Sequence, residues 1–207
     1  LNIFGLDRLS NVNNFESGTS ATLGFDYEIS SKDKKLDFSI GQIINQNENK
    51  NMPSSSSLDE KLSDLIGSSN LKINNNLELK YNFAVDQNYN EINYNEVGAN
   101  FNLDIVKFDI NYLKENKHYG DQEYFKTKIE YKRNENGIVT AETKRNLINN
   151  SSEYYDLSYE YLNDCLRAGL VYRREFYDDS ELESENSLMF KLTFVPFGNL
   201  NGPSINK

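Results

Sequence analysis

The chain has 207 residues and a net charge of −10, with a pI near 4.7 and a mean hydropathy of −0.72. So acidic a chain excludes a nucleic-acid partner, which needs a basic surface. An aromatic content of 13%, with fourteen Tyr and twelve Phe, excludes simple disorder and points to two-sided strands rather than a thick core.

No run of about 18 apolar residues exists, so no transmembrane helix is expected. A membrane β-barrel stays open, because it carries its apolar residues at every second position. The opening LNIFGLDRLS has no initiator Met, charged n-region or apolar h-region. It is expected to begin a piece of something longer. The single cysteine, Cys165, can form no disulfide inside the chain.

Residues 1–18 lack a clean period and read as a loop. TSATLGFDYEIS (19–30) alternates, with Leu23, Phe25, Tyr27 and Ile29 on one face and Thr22, Gly24, Asp26 and Glu28 on the other. KLDFSIGQII (35–44) repeats the pattern through Leu36, Phe38 and Ile40. Residues 45–70 are loop-like, with a serine tract at 54–57, and LDEKLSDLIG is expected to make one short helical turn. LKINNNLELKYNFAV (71–85) alternates throughout except at Asn75 and predicts one long strand. It exceeds the globular norm of about 5–6 residues and suits a membrane crossing of about 9–11 residues with overhang. Alternating runs follow at 91–104, 105–113, 122–133, 137–146, 153–162, 165–176 and 186–197, split by short polar turns such as NENG and INNSS.

About ten evenly spaced strands with hairpin turns make an all-β, antiparallel up-and-down meander. Such a sheet must close or be covered, because open edges aggregate. Strand length and hairpin order favour a membrane barrel, with its apolar face on lipid and its polar face on a wet lumen. A soluble sandwich produces the same alternation and stays as the alternative.

Few residues suggest chemistry. His118 lies in KENKHYGD and reads as an exposed turn histidine, with no serine set beside a base, so no enzyme is expected. His/Cys spacing for a metal is absent, and no cofactor is expected. The acidic run YDDSELESE (177–185) reads as a solvated turn rather than a calcium loop. Lys72, Glu78, Lys80, Lys126, Lys128, Glu130, Lys132, Arg173 and Glu175 fall on the polar faces and mix both signs. Cys165 alone reads as a small hydrophobe. The many Asn and Lys residues look like AT-rich coding bias.

The C-terminal third also carries a family resemblance. Asn163, Asp164 and Cys165 precede a strand with Tyr172, Arg173 and Arg174; Tyr177, Asp178 and Asp179 make a turn. A last strand of the form F-x-L-x-F follows, as Phe190, Leu192 and Phe194, with Gly198 after it. This frame resembles the C-terminal end of the outer-membrane LPS-assembly proteins, the LptD (OstA) family. Asp7 and Arg8, then Glu16, Ser17 and Gly18, are similar to an upstream family segment, as is GQII (41–44) followed by LSDLIG (62–67). Asn11 to Asn14 depart from the family, which usually has a Gly and a second Asp-Arg there. The cysteine is single where some members carry a pair.

The resemblance implies that residues 1–207 are the C-terminal portion of a large transmembrane β-barrel. The N-terminal barrel half and a periplasmic domain would then lie outside this sequence, and the fragment would not close alone. It implies a translocon in the cell outer membrane of a Gram-negative bacterium, placing lipopolysaccharide in the outer leaflet. The implied partners are lipopolysaccharide, an LptE-like lipoprotein plug and a periplasmic LPS-transport bridge reached through the N-terminal domain. Cys165 would form a disulfide to the periplasmic region, which permits such bonds. The final run, with Phe190, Leu192, Phe194 and Pro196, would be one lip of a lateral seam. Pro196 would weaken strand pairing there, or simply end the strand. A passive porin-like barrel and a soluble β-rich binding domain remain the alternatives.

Overall fold

The computed structural model describes residues 18–118, 120–176, 184–194 and 198–206. The strands are β1 (Ser20–Ser31), β2 (Lys34–Asn45), β3 (Leu65–Ile73), β4 (Leu77–Val85), β5 (Ile92–Leu103) and β6 (Val106–Glu115). They continue as β7 (Gln122–Lys132), β8 (Gly137–Asn146), β9 (Ser151–Leu162), β10 (Leu166–Glu175), β11 (Glu185–Phe194) and β12 (Gly198–Asn206). All twelve pair in sequence order within one sheet. The fold is therefore the all-β up-and-down meander that the alternation predicts.

Four features differ from expectation. Residues 71–85 are not one strand but the end of β3, a turn at 74–76, and β4. The turn has three residues and pairs Ile73 with Leu77, so odd positions stay on one face across it. Periodicity is blind to a hairpin that preserves parity. The expected loop 45–70 is shorter, because 65–70 already belong to β3, paired with β2 from Ile66 onward. The helical turn sits earlier than LDEKLSDLIG, as a 3-10 turn at Ser54–Ser56 closed by Ser57 at φ 58°. Finally, β11 is not the last strand: it pairs with both β10 and β12.

Asparagine and aspartate supply the positive φ that several tight turns need, at Asn74 (52°), Asp104 (50°) and Asn150 (52°). These residue types visit that region at least cost among non-glycines. Asn163 works differently: its side-chain oxygen accepts from the backbone N–H groups of Cys165 and Leu166 at 3.0 and 2.7 Å, ordering the entry to β10. Part of the asparagine content is thus turn chemistry.

The described residues fall into two units, one running to Gly98 with Leu113–Gln122 added, the other made of Ala99–Tyr112 and Glu123 onward. In the first, Leu23, Phe25, Tyr27 and Ile29 of β1 are exposed. Register places Phe25 opposite Ile40, Tyr27 opposite Phe38 and Ile29 opposite Leu36. Leu71 and Leu79 continue that apolar face across β3 and β4. Gly67 of β3 pairs with Phe83 of β4, whose ring lies over the bare glycine. This aromatic cover explains how the weak strand former L-I-G-S-S-N holds its place in the sheet. Buried apolar residues are few; Ile43, Met52 and Leu58 form one cluster, where the 46–64 connection folds back on the end of β2.

In the second unit, Tyr155, Leu157, Tyr159 and Tyr161 of β9 are exposed, as are Leu170 and Tyr172 of β10 and Leu188, Phe190 and Phe194 of β11. They share one face, since Leu170 pairs with Tyr159 and Phe190. Large apolar side chains facing outward along whole strands are what a soluble sandwich would bury.

Candidate functional site

The face opposite the apolar one is built from ion pairs in each unit. In the first, Lys35 Nζ lies 3.3 Å from Glu28 and 3.1 Å from Asp37. Glu78 Oε1 lies between Lys72 (3.5 Å) and Lys80 (3.6 Å). Asn82 donates to Glu96 at 2.9 Å, and Tyr94 donates to the same oxygen at 2.8 Å.

The second unit repeats the pattern more tightly. Lys126 Nζ is 2.9 Å from Glu142, which also accepts from Tyr154 at 2.7 Å. Lys128 pairs with Glu130 at 2.6 Å, Lys144 with Glu153 at 2.7 Å, and Arg167 with Glu160 at 2.6 Å. Arg173 binds both oxygens of Asp156, at 2.7 and 2.5 Å, and reaches Glu175 at 3.2 Å. Register places Arg173 directly opposite Asp156, whereas Lys126 reaches Glu142 diagonally across β7 and β8 and Lys128 meets Glu130 along its own strand. Each exposed pair contributes little stability. Their chemical consequence is a hydrophilic surface whose charges are met locally. Of the mixed-sign set expected on the polar face, Lys72, Glu78, Lys80, Lys126, Lys128, Glu130, Arg173 and Glu175 stand in ion pairs.

A second polar constellation was missed by the sequence. Ser63 and Asp64 close the 46–64 connection just before β3. Ser63 Oγ accepts from the backbone N–H of Ile43 at 2.9 Å and donates to the Asp64 carbonyl at 2.9 Å. Asn45 donates to the carbonyls of Leu58 and Glu60 at 3.2 and 2.7 Å. The connection is thereby stitched to β2. Asp64 accepts from Asn93 Nδ2 at 2.8 Å and lies 3.5 Å from Lys117 Nζ.

His118 is not the exposed turn histidine expected. Its side chain is 15% exposed and sits between two carboxylates that are each 3% exposed, with Nε2 3.4 Å from Asp64 and Nδ1 3.4 Å from Glu115. The reason is tertiary: the 116–121 turn is drawn over Asn93, whose carbonyl accepts from Asn116 N–H at 3.0 Å. Burial pushes the Asp64 carboxyl up, but His118, Asn93, the nearby Ser57 hydroxyl and the Lys117 charge outweigh it, so it is held below its ordinary value. The Ser57 hydroxyl makes no hydrogen bond of good geometry. The cluster therefore holds no serine–histidine pair of the kind that makes a nucleophile. Among the described residues, no group of three or more His, Cys, Asp or Glu side chains is arranged to hold a metal ion.

The remaining expected residues are placed as follows. Cys165 is exposed, in the short turn ahead of β10. Phe190, Leu192 and Phe194 alternate on β11, opposite Leu170, Ala168 and Leu166. Pro196 lies outside the described residues, as do Asp7, Arg8, Glu16, Ser17 and the turn residues Tyr177, Asp178 and Asp179.

The family described as LptD, LPS transport system D, matches residues 1–137. That range includes the upstream stretches whose resemblance was noted, and it ends before the C-terminal frame around Cys165. No curated protein matches the chain. Among solved structures, a triple mutant of the Rhodopseudomonas blastica porin is 10% identical, with a TM-score of 0.52. A double mutant of the same porin is 11% identical, with a TM-score of 0.53. In both comparisons the match covers 91% of this chain and 84% of the porin. At such identity the likeness speaks for the fold, which is porin-like.

Proposed function

This chain belongs to the LptD family, and from that premise we propose that it forms part of an outer-membrane translocon that assembles lipopolysaccharide into the outer leaflet. The carrying observation is the family match over residues 1–137. The two-faced strands support it. Their apolar faces suit lipid, and their ion-paired faces suit a wet path for a phosphorylated, glycosylated headgroup. Because the cations already meet carboxylates, such a wall would let an anionic headgroup pass without holding it.

Connection lengths support an orientation. Connections leaving odd-numbered strands are short, at 32–33, 74–76, 104–105, 133–136, 163–165 and 195–197. Those leaving even-numbered strands run longer on the whole, with 46–64, 86–91, 116–121 and 176–184, although 147–150 is no longer than 133–136. Outer-membrane barrels keep short turns in the periplasm and longer loops outside. Cys165 then faces the periplasm, where a disulfide to an N-terminal periplasmic domain can form. That domain would connect to the LPS-transport bridge, and an LptE-like lipoprotein would fill the barrel. Phe190, Leu192 and Phe194 would lie on β11, whose outer edge pairs with β12, so a lateral seam in this part of the barrel would not open directly at β11.

Depleting the protein in its Gram-negative host tests this reading. Antibody binding to lipopolysaccharide on whole cells is expected to fall as the protein is lost. A passive porin, the second reading, predicts instead unchanged surface lipopolysaccharide and reduced uptake of small hydrophilic solutes.

A further inference from the structure

On the polar face of the second unit, Arg167 holds Glu160 and Arg173 holds Asp156. Arg145 and Arg174 stand on the opposite, apolar face. Register pairs Arg174 with Tyr155, and Arg145 with Phe125 on β7 and Ser152 on β9. Directly opposed residues project to the same side of a sheet. Phe125 shares its side with Ile129, which pairs with Ala141 and so lines up with Leu157. Arg145 is one residue from the end of β8 and Arg174 one from the end of β10. Both therefore sit at the end of the sheet from which the even-numbered strands leave. We infer that Arg145 and Arg174 form a binding site, on the outward apolar wall of the barrel, for the phosphorylated headgroup of an outer-leaflet lipid.

A charge on the lipid side of a barrel is costly at mid-depth and nearly free at the interface. Two arginines at one strand end are thus placed where lipid phosphates lie. Both are exposed, and among the described residues neither meets a carboxylate. Arg145 donates to Asn150 Oδ1 at 2.5 Å, and the Arg174 guanidinium lies 5.0 Å from the centre of the Phe176 ring. Glu123 shares the side of Phe125, and Tyr112 donates to its carboxylate at 2.8 Å. The acidic stretch 177–183 lies outside the described residues. A guanidinium fork matches a phosphate through two parallel N–H bonds.

Spacing and surroundings suit a headgroup rather than a single ion. β8 and β10 flank β9, so the two arginines spring from strands about 10 Å apart. Between them Ser152 Oγ and Tyr155 Oη lie 2.8 Å apart, a polar pair facing outward. The Tyr155 and Phe176 rings meet edge to face at 5.6 Å. Aromatic rings of this kind sit at headgroup level, where barrels carry their aromatic girdles. The site requires the orientation proposed above but not the transport role, because its groups stand outside the lumen.

Native mass spectrometry of the full-length protein in detergent counts bound lipid. The probe is the phosphorylated lipid A portion of lipopolysaccharide. Combining Arg145→Gln with Arg174→Gln is expected to weaken one bound lipid roughly tenfold. Lipid A stripped of its phosphates should bind the native protein no better than lipid A binds that variant. Arg133→Gln with Lys32→Gln, which removes the same charge from exposed short turns, should leave binding unchanged. Equal binding by the native protein and an Arg145/Arg174 variant that gel mobility shows to be folded overturns the site. Inorganic phosphate that binds as tightly as lipid A makes this a free-anion site and overturns the lipid. Binding that a metal chelator removes from both proteins alike points to a cation bridge and overturns the arginine contact. Depletion in cells reads transport and this titration reads the outer wall, so either proposal can fail alone.

Discussion

Gly67→Ala is the substitution whose outcome the structure specifies best. A Cβ built on Gly67 would lie 2.5 Å from Phe83 Cε1 and 3.2 Å from Cε2, with Cζ nearer still. Carbon atoms pack at about 3.5–4.0 Å, so the ring must shift by roughly 1 Å. Overpacking of this kind costs about 1–3 kcal/mol, against which alanine recovers about 0.5–1 kcal/mol of the glycine entropy penalty. The net expectation is a loss of about 1 kcal/mol. In a Phe83→Ala background the obstruction is gone, and the same change should stabilise by about 0.5 kcal/mol. The coupling between the two sites is then about 1.5 kcal/mol. Graded heating of the full-length protein, with the folded fraction read from gel mobility for all four members of the cycle, measures it. Strictly additive effects would refute the claim that Phe83 covers Gly67 and so holds β3 in register.

Other outcomes follow from single contacts. Asp64 is held below its ordinary value by its partners, so its contribution is complete above about pH 4 and is lost as pH falls through its lowered value. Protection of the 46–64 connection should collapse in that acid range, and Asp64→Asn should abolish the acid limb. Asp156→Asn removes one partner of the two-point contact to Arg173 and leaves Glu175 as its remaining carboxylate. A part-exposed pair of this kind should cost about 1 kcal/mol, less at high salt; a salt-independent loss in heat-stability assays would contradict an electrostatic origin. For Cys165, non-reducing gels of the full-length protein should show a mobility difference that Cys165→Ser removes. Identical mobility of the two proteins would exclude the proposed periplasmic disulfide.

Strand identity and facing were legible without coordinates, because a side-chain period of two is a local property of the backbone. Leu23, Phe25, Tyr27 and Ile29 stand on one face by geometry alone, and so do the charges opposite them. What alternation does not record is where a strand turns back without changing parity. That is why Ile73 and Leu77 looked continuous although they are partners across a hairpin. Nor does it record strands made by their neighbours: L-I-G-S-S-N becomes β3 because β2 offers hydrogen bonds and Phe83 covers Gly67. The family resemblance was legible upstream, where the match over residues 1–137 lies. His118 shows the limit most clearly. Its neighbours in sequence are polar and predict solvent, whereas its environment is set by Asp64, a residue 54 positions earlier that the meander brings alongside. Composition and periodicity thus determined a two-faced meander suited to a membrane. Register, and the folding back of one long connection, decided which charges meet and where a polar cluster is buried, because those contacts join residues distant in sequence.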